Sequence, residues 1–156
     1  MSAGGILVRP GNLEDPQVRG LLVVHAERSR KETAPGSAHA LDLEAFRDPE
    51  LRLFTAWDPE TLVGVGAWRR LSANHGEVKA FHTIESARGR GIAGRILRAV
   101  VQSARDEGIE RLSLETGSWP YFAPARAFYS SYGFEECGPF GDYVDDPNSV
   151  FMTRLI

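Results

Sequence analysis

A glycine-rich turn that joins a strand-like segment to an amphipathic helix most constrains the fold of this chain. The turn reads Arg-Gly-Arg-Gly-Ile-Ala-Gly over residues 88–94, and it follows 77–84, where polar and apolar residues alternate as in a strand. Backbone N–H groups and the positive end of a helix dipole converge in such a turn, and glycine leaves the approach to them open. The sequence therefore predicts an anion site suited to phosphate, with Arg88 and Arg90 as added cations. A tight loop with solvated arginines is the structural alternative.

The remaining segments predict a mixed α/β architecture. Strands are predicted over 5–9, 51–57, 62–71, 77–84, 112–114, 134–137 and 150–155, and helices over 16–31, 42–47, 92–107 and 124–132. Asp15 followed by Pro16 is a helix-start signal, and Gly108 stops the helix that follows the turn. The early strands form an antiparallel meander, whereas the later strand–helix–strand crossover makes its two strands parallel. We expect a mixed, mostly antiparallel central sheet flanked by helices.

The size and composition of the chain limit the classes of protein to which it can belong. A length of 156 residues, 42% of them hydrophobic, is that of one globular domain over 1–156. A net charge of −3 argues against a nucleic-acid partner. Neither a membrane-spanning run nor a signal peptide is recognisable, so we expect a cytoplasmic protein without a membrane partner.

The single cysteine, Cys137, excludes an intrachain disulfide and a cysteine-based zinc cluster. We expect its side chain to be a buried, small apolar group. No set of ligands predicts a metal site. Composition leaves open whether two copies of the chain form a homodimer.

The glycines of the turn also match a dinucleotide-binding fingerprint. Gly89, Gly91 and Gly94 satisfy G-x-G-x-x-G, and Glu115 lies 21 residues after Gly94. The preceding segment is not the apolar run of a central parallel strand, and the 62 residues after Gly94 are too few for the rest of a doubly wound domain. The pattern G-K-[ST] of a nucleotide-hydrolysing P-loop is missing. We therefore reject a dinucleotide oxidoreductase.

Two motifs, in this order, resemble the GNAT superfamily of N-acetyltransferases. Arg88, Gly91 and Ala93 match the [QR]-x-x-G-x-[GA] turn with which that family holds the pyrophosphate of acetyl-CoA. The run 125–134, Ala-Arg-Ala-Phe-Tyr-Ser-Ser-Tyr-Gly-Phe, is similar to a second family segment, A-x-x-x-Y-x-x-x-G-F. The order of elements matches that family over essentially the whole chain, and the runs 76–79, 112–117, 138–143 and 146–152 look similar to a subgroup of small bacterial acetyltransferases. One departure is Lys-Ala-Phe-His at 79–82, where those relatives usually have a Lys-x-Met-Arg-like run.

The resemblance implies a GNAT-type sheet in which a parallel pair of strands splays apart at the acetyl-CoA site. It also implies an enzyme that moves an acetyl group from acetyl-CoA, as co-substrate, to a primary amine by direct transfer in a ternary complex. We expect a small-molecule acceptor rather than a protein amine. An acyl-CoA-binding sensor or regulatory module without turnover is the alternative. The residues expected to bind acetyl-CoA are Phe81, His82, Thr83, Arg88, Gly89, Arg90, Gly91, Ile92, Ala93 and Gly94.

Tyr129 and Glu77 are the expected catalytic residues. The resemblance assigns Tyr129 to the family's tyrosine, and a phenol is protonated at neutral pH and can donate to a leaving thiolate. Packing on a helix face is the alternative for Tyr129. Glu77 matches the catalytic glutamate of several histone-acetylating members and would take the ammonium proton, but an ion pair with Lys79 explains it equally well. Two alternatives for His82 stay open, a base and a core histidine on the face of Val78. Proton transfer through water, without a single basic residue, also stays open.

Residues from separate segments are expected to line the acceptor pocket. Glu115 ends the strand that lies parallel to the 77–84 strand, where the two should splay apart. His39 and Tyr143 are further candidates, and the acids at 142, 145 and 146 would attract a cationic amine. A solvated turn explains these acids as well, and a helix cap explains Asp42 near His39.

Overall fold

The computed structural model of the chain describes residues 5–37 and 42–156. Seven strands occur there: β1 (Leu7–Pro10), β2 (Leu51–Asp58), β3 (Thr61–Ser72), β4 (His75–Thr83), β5 (Arg111–Gly117), β6 (Glu135–Cys137) and β7 (Ser149–Leu155). Three α-helices accompany them, α1 (Pro16–Lys31), α2 (Ile92–Asp106) and α3 (Ala123–Ser131), with short 3-10 turns at Leu43–Arg47, Glu85–Ala87 and Pro120–Phe122. The predicted order of elements is confirmed, except that the second predicted helix is a 3-10 turn.

All of the described strands join one sheet in the order β1-β2-β3-β4-β5-β7-β6. Neighbouring strands are antiparallel except β4 and β5, which are parallel, as a crossover through α2 requires. The β4–β5 ladder runs only from His75 opposite Arg111 to Val78 opposite Leu114, although β4 continues to Thr83. The two strands therefore diverge beyond Val78, and the expected splayed parallel pair is confirmed.

Side-chain caps begin the first helix and the first 3-10 turn. The carboxylate of Asp15 accepts a hydrogen bond of 2.8 Å from the N–H of Gln17, and Pro16 takes the first helical position, where a missing N–H costs nothing. The carboxylate of Asp42 accepts from the N–H of Ala45 at 3.0 Å. Asp42 therefore caps this turn, as the helix-cap interpretation of the sequence predicts.

Apolar side chains pack against both faces of the sheet. On one face, α2 buries its apolar stripe, which consists of Ile92, Ile96, Leu97, Val100, Val101 and Ala104. On the other face, Val18, Leu21 and Leu22 of α1 pack with Phe46 and with residues of β2 and β3. Burial of each large apolar side chain contributes about 1.5–3 kcal/mol, so the two helices fix the sheet between them.

A β-bulge in β4 changes which face of the sheet its later residues meet. Two residues of β4, Ala80 and Phe81, lie opposite a single residue of β3, and Ala80 takes a left-handed φ of 62°. Val78, before the bulge, packs on the α2 side of the sheet, whereas His82, after it, contacts α1. The prediction that His82 shares the face of Val78 is wrong, because strict alternation breaks at the bulge.

Gly66 of β3 allows both an aromatic ring and α2 to approach the sheet at the bulge. A Cβ on Gly66 would lie 2.7 Å from Cγ2 of Ile96 and 2.7 Å from Cε1 of Phe81. Gly66→Val is therefore expected to lower the free energy of unfolding by about 2–3 kcal/mol, because it overpacks a filled core. Urea denaturation measures the loss, with Gly138→Val as the control, since a Cβ on Gly138 meets nothing within 4 Å. Equal stability of the two variants would contradict this packing.

Cys137 lies in the short strand β6 and is exposed. The expectation that it is buried is wrong, because β6 is an edge strand that pairs with β7 on one side and leaves its three residues exposed. In the part of the chain that the structure describes, each helix is too short or too polar to cross a lipid bilayer.

Candidate active site

A cavity of about 620 Å³ opens where β4 and β5 diverge. Its walls come from these strands, the glycine turn, the starts of α2 and α3, one face of α1, and the loop between β6 and β7. The predicted site residues that line it are Glu77, Phe81, His82, Thr83, Arg88, Gly89, Gly91, Ile92, Ala93, Gly94, Glu115, Tyr129 and Tyr143. Arg90 does not line the cavity, and His39 lies outside the described residues.

The glycine turn leaves the N-terminus of α2 open toward the cavity. Gly91 is the N-cap residue with a φ of 74°, and Gly89 has a φ of 82°, both left-handed. A Cβ on either would meet nothing within 4 Å, so the backbone conformation rather than a lack of room requires glycine. No side chain among the described residues caps α2, and no acid occupies its first turn. The first N–H groups of the helix, those of Ile92 and Ala93 included, are thus available to an anion.

The two arginines of the turn have different surroundings. Arg88 lines the cavity, and its Nε donates to the carbonyl oxygen of Thr83 at 3.3 Å. Arg90 instead forms an ion pair with Asp58 at the end of β2, with Nη2 2.9 Å from Oδ2. Of the two, Arg88 is the one placed to add a cation to the anion site.

Gly94 brings α2 and α3 together. A Cβ at this position would collide with the hydroxyl of Tyr132, which also accepts a hydrogen bond of 3.3 Å from Nη1 of Arg98. Glycine therefore lets α3 lie against the first turn of α2. This contact places Tyr129, about one turn earlier on α3, at the cavity.

Aromatic neighbours hold Tyr129 in place. Its ring centroid lies 6.0 Å from that of Phe81, 5.2 Å from that of Phe128 and 5.7 Å from that of Phe134. The side chain is buried apart from its cavity face, and no described residue makes a hydrogen bond with its hydroxyl. Burial raises the pKa of the phenol above its ordinary value, so Tyr129 is protonated at neutral pH.

Glu77, which is buried, and Lys79 and Tyr143, which are half-buried, form a polar cluster at the end of the cavity away from the glycine turn. Glu77 is 5% exposed, Nζ of Lys79 lies 3.0 Å from its Oε2, and the Tyr143 hydroxyl donates to the same oxygen. Nζ of Lys79 also donates to the Tyr143 oxygen at 3.2 Å. Burial and the charge of Glu77 raise the pKa of Tyr143. The ion pair with Lys79, the structural alternative for Glu77, is present, and the cluster ties β4 to the loop before β7.

Glu115 faces this cluster from β5 and has no ion-pair partner among the described residues. Burial raises its pKa to about 7; the nearby Ser149 hydroxyl and the charge of Lys79 act against this rise, whereas the charges of Glu77 and Asp146 add to it. A carboxyl group with this pKa is about half ionised at neutral pH and can exchange a proton there. The sequence shows that residue 115 is a glutamate, but the raised pKa of its carboxyl depends on burial, which the sequence does not show.

A pair of histidines lines the cavity between α1 and β4. Nδ1 of His25 and Nδ1 of His82 are 3.3 Å apart, so one ring donates and the other accepts. Burial, together with the charges of His82 and Lys79, lowers the pKa of His25 to about 4. Burial also lowers the pKa of His82, with Arg88 and Arg28 adding to the effect. Both rings are therefore neutral at pH 7, and His82 is a half-buried cavity residue rather than a core histidine.

Sequence reasoning missed several other lining residues. His25 and Ser29 lie about one turn apart on α1, and Thr33 follows two residues after the helix ends; all three line the cavity. The sequence signal that could have indicated this lining is His25, which interrupts an otherwise apolar face of the helix. Tyr121 and Phe122, in the last 3-10 turn, line the cavity near the end of β5.

Asp146 ties the loop between β6 and β7 to the segment that follows α1. The hydroxyl of Ser37 donates to Oδ2 of Asp146 at 2.7 Å, and the N–H of Asn148 donates to Oδ1 at 2.8 Å. Asp142 and Asp145, the other acids of the predicted acidic loop, are exposed. Over residues 5–37 and 42–156, no group of three or more His, Cys, Asp or Glu side chains is placed to hold a metal ion.

Comparison with known proteins identifies the class to which this fold and cavity belong. A model of the acetyltransferase (GNAT) family matches residues 21–134, and the chain belongs to that family. Among its relatives, the uncharacterized N-acetyltransferase YsnE of Bacillus subtilis (strain 168) is 43% identical over 149 residues, which are 96% of this chain and 99% of that protein. The IAA acetyltransferase of Azospirillum brasilense is 36% identical over 150 residues, 95% of each chain.

A solved structure shows the same fold. The GNAT family acetyltransferase from Elizabethkingia anophelis, solved with acetyl-CoA bound, superimposes with a TM-score of 0.71 at 17% sequence identity. The match covers 97% of this chain and 99% of that chain.

Proposed function

We propose that the chain is an acetyl-CoA-dependent N-acetyltransferase that moves an acetyl group to the primary amine of a small molecule by direct transfer in a ternary complex. The observation that carries the proposal is one cavity that joins the anion-binding glycine turn to the Tyr129 hydroxyl and to two carboxylates. Acetyl-CoA, when bound, supplies an activated thioester. Membership of the family and the acetyl-CoA held by a protein of the same fold support this donor.

The donor end of the cavity fits a pyrophosphate joined to an extended arm. The N–H groups at the start of α2 and the Arg88 guanidinium supply hydrogen bonds and positive charge for the pyrophosphate. β4 has no β5 partner after Val78, so backbone groups of 81–83 that face the gap can pair with the amides of the arm. We assign to an N–H group of this segment the stabilisation of the negative charge that develops on the thioester oxygen.

Tyr129 is the residue that we assign to protonation of the leaving thiolate. Tyr129 lines the cavity, and its burial keeps the proton on the phenol at neutral pH. The raised pKa does not prevent donation, because a thiolate formed in the same desolvated cavity is also a stronger base than in water. The aromatic rings around Tyr129 keep its hydroxyl in one position.

The other end of the cavity fits the amine. An alkylammonium has a reference pKa near 10.4 and must lose a proton before it attacks, so a base is needed. Glu77, the base expected from the resemblance, and Glu115 both line this end. Both carboxylates lie inside the cavity, between β4, β5 and the loop that carries Tyr143. The amine of the acceptor must reach them, so the acceptor enters with its amine first. A cavity of about 620 Å³ is of the size that holds small molecules, which supports a small-molecule acceptor.

Calorimetric titration with acetyl-CoA and an assay of thiol release over a panel of primary amines test the proposal. We expect acetyl-CoA to bind, and thiol to be released only when a suitable amine is present. Binding without release on any amine would identify an acyl-CoA-binding sensor instead. Failure to bind would contradict both functions.

A further inference from the structure

Two carboxylates face the acceptor end of the cavity from neighbouring strands, and their surroundings differ. Nζ of Lys79 lies 3.0 Å from Oε2 of Glu77, and Tyr143 donates to the same oxygen. Glu115 lines the same cavity and makes no ion pair with any Lys, Arg or His of the described residues. The register explains the difference: Glu77 lies opposite Ser113, so Glu115 comes two residues further along β5, where the strands have separated.

The charges around Glu115 attract cations. From β4, Lys79 and Glu77 face it as an ion pair, and Lys79 is the one positive group among the described charged residues that act on Glu115. From the loop before β7, Asp146 adds a negative charge, and Tyr143 is uncharged because burial raises its pKa. A cationic ligand is therefore drawn to this end of the cavity, whereas an anionic one is repelled.

We propose that Glu115 binds the acceptor as a cation and takes the proton of its ammonium group, while Glu77 is a positioning residue that holds Lys79 and Tyr143. The acceptor is then a primary alkylamine, which is cationic in neutral solution, and not an arylamine or an alcohol. The inference rests on the proposed function, and it moves the role of the base from Glu77, where the resemblance placed it, to Glu115.

Proton transfer to Glu115 prepares the nitrogen for attack. An N–H bond of the ammonium breaks, an O–H bond forms on Glu115, and a lone pair is left on nitrogen. That pair forms the bond to the thioester carbonyl carbon, and the C–S bond breaks. The thiolate takes the proton of Tyr129, the second amine proton restores Tyr129, and Glu115 releases its proton to solvent. The products are an amide, a thiol and one proton.

The pH dependence of kcat/KM for the amine tests this division of roles. Because Glu115 must be ionised, the wild-type kcat/KM is expected to rise with pH and to level off above about 7, the pKa of this carboxyl. Glu115→Gln should abolish this rise and lower kcat/KM at pH 8 by about 100-fold or more. Glu77→Gln should keep the rise but move it to lower pH, because Glu115 loses a negative neighbour. Glu136→Gln, a change in the exposed strand β6, should alter neither rate nor profile.

A rate and pH profile left intact by Glu115→Gln would overturn the proposal, and so would loss of the rise in Glu77→Gln. Carbon-13 NMR of glutamate-labelled protein gives a readout that does not depend on turnover. A carboxyl signal that titrates near pH 7 is expected in the wild type and should be missing from Glu115→Gln; its absence from the wild type would also refute the assignment.

A second variant and the wild type separate the remaining explanations. Thermal melting shows whether each variant is folded, and Glu115→Asp, which keeps the carboxylate, should retain the pH-dependent rise at a reduced rate. If Glu115→Gln does not fold, a flat profile for Glu115→Asp would overturn the inference. Absence of thiol release by the wild type with every amine would instead refute the proposed function.

Discussion

Gly91→Glu is expected to weaken the binding of acetyl-CoA by about 100-fold or more. Gly91 has a φ of 74° at the N-cap of α2, where any other L-residue is strained by about 1–2 kcal/mol. The new carboxylate also sets a negative charge beside the N–H groups that we assign to the pyrophosphate. The strain lowers affinity because the free turn can relax away from the conformation that binds, and the charge repels the bound pyrophosphate; a factor of about 100 in affinity corresponds to about 2.7 kcal/mol.

Gly108→Glu is the matched control for this experiment. Gly108 follows the opposite end of α2, is exposed, and has a φ of 85°, so the same substitution introduces comparable backbone strain far from the glycine turn. Gly91→Ala separates strain from charge and should bind with intermediate affinity. Calorimetry measures all three. If Gly91→Glu bound acetyl-CoA as tightly as Gly108→Glu, the assignment of the turn to the pyrophosphate would be wrong.

Tyr129→Phe is expected to lower kcat by about 100-fold or more while it changes the KM for acetyl-CoA by less than about threefold. The substitution removes the proposed proton donor and leaves the packing of the ring against Phe81, Phe128 and Phe134 intact. Since no described residue makes a hydrogen bond with the Tyr129 hydroxyl, its loss leaves no buried partner unsatisfied. The variant should therefore fold as stably as the wild type.

Tyr132→Phe is the control on the same helix. It removes a hydroxyl that accepts from Arg98 at 3.3 Å, and we expect it to change kcat by less than about threefold. Steady-state kinetics with a reactive amine and saturating acetyl-CoA measure both variants. An unchanged kcat for Tyr129→Phe would remove this residue from the mechanism and leave protonation of the thiolate to solvent.

The glycine turn could be predicted because its determinants are local. Residues 88–94 are consecutive, and the alternating segment before them and the apolar stripe after them are recognisable at short range. The parallel β4–β5 pair followed from a chirality rule for crossovers. The resemblance located Tyr129 on its helix, but packing alone shows that Phe81 and Phe134 hold its ring at the cavity.

The surroundings of the charged side chains could not be predicted, because they depend on distant contacts. Tyr143 donates to Glu77 across 66 residues of sequence. Asp58 pairs with Arg90, which the local pattern counted as a phosphate ligand. The predicted face of His82 is wrong because a bulge in β4 exchanges the faces of the residues after it. The alternating pattern of the sequence does not indicate such a bulge.

The divergence of β4 and β5 beyond Val78 opens the acceptor end within the sheet, so no core volume has to be removed to make room for a ligand. The side chains that hold the helices to the sheet, such as Leu22 and Ile96, lie in the two packed clusters, whereas Glu115 and Tyr143 border the opening. On the proposed function, we therefore expect the choice of acceptor to depend mainly on residues at the opening and folding stability mainly on the two clusters. Single substitutions at the opening should then change the acceptor with little effect on the core.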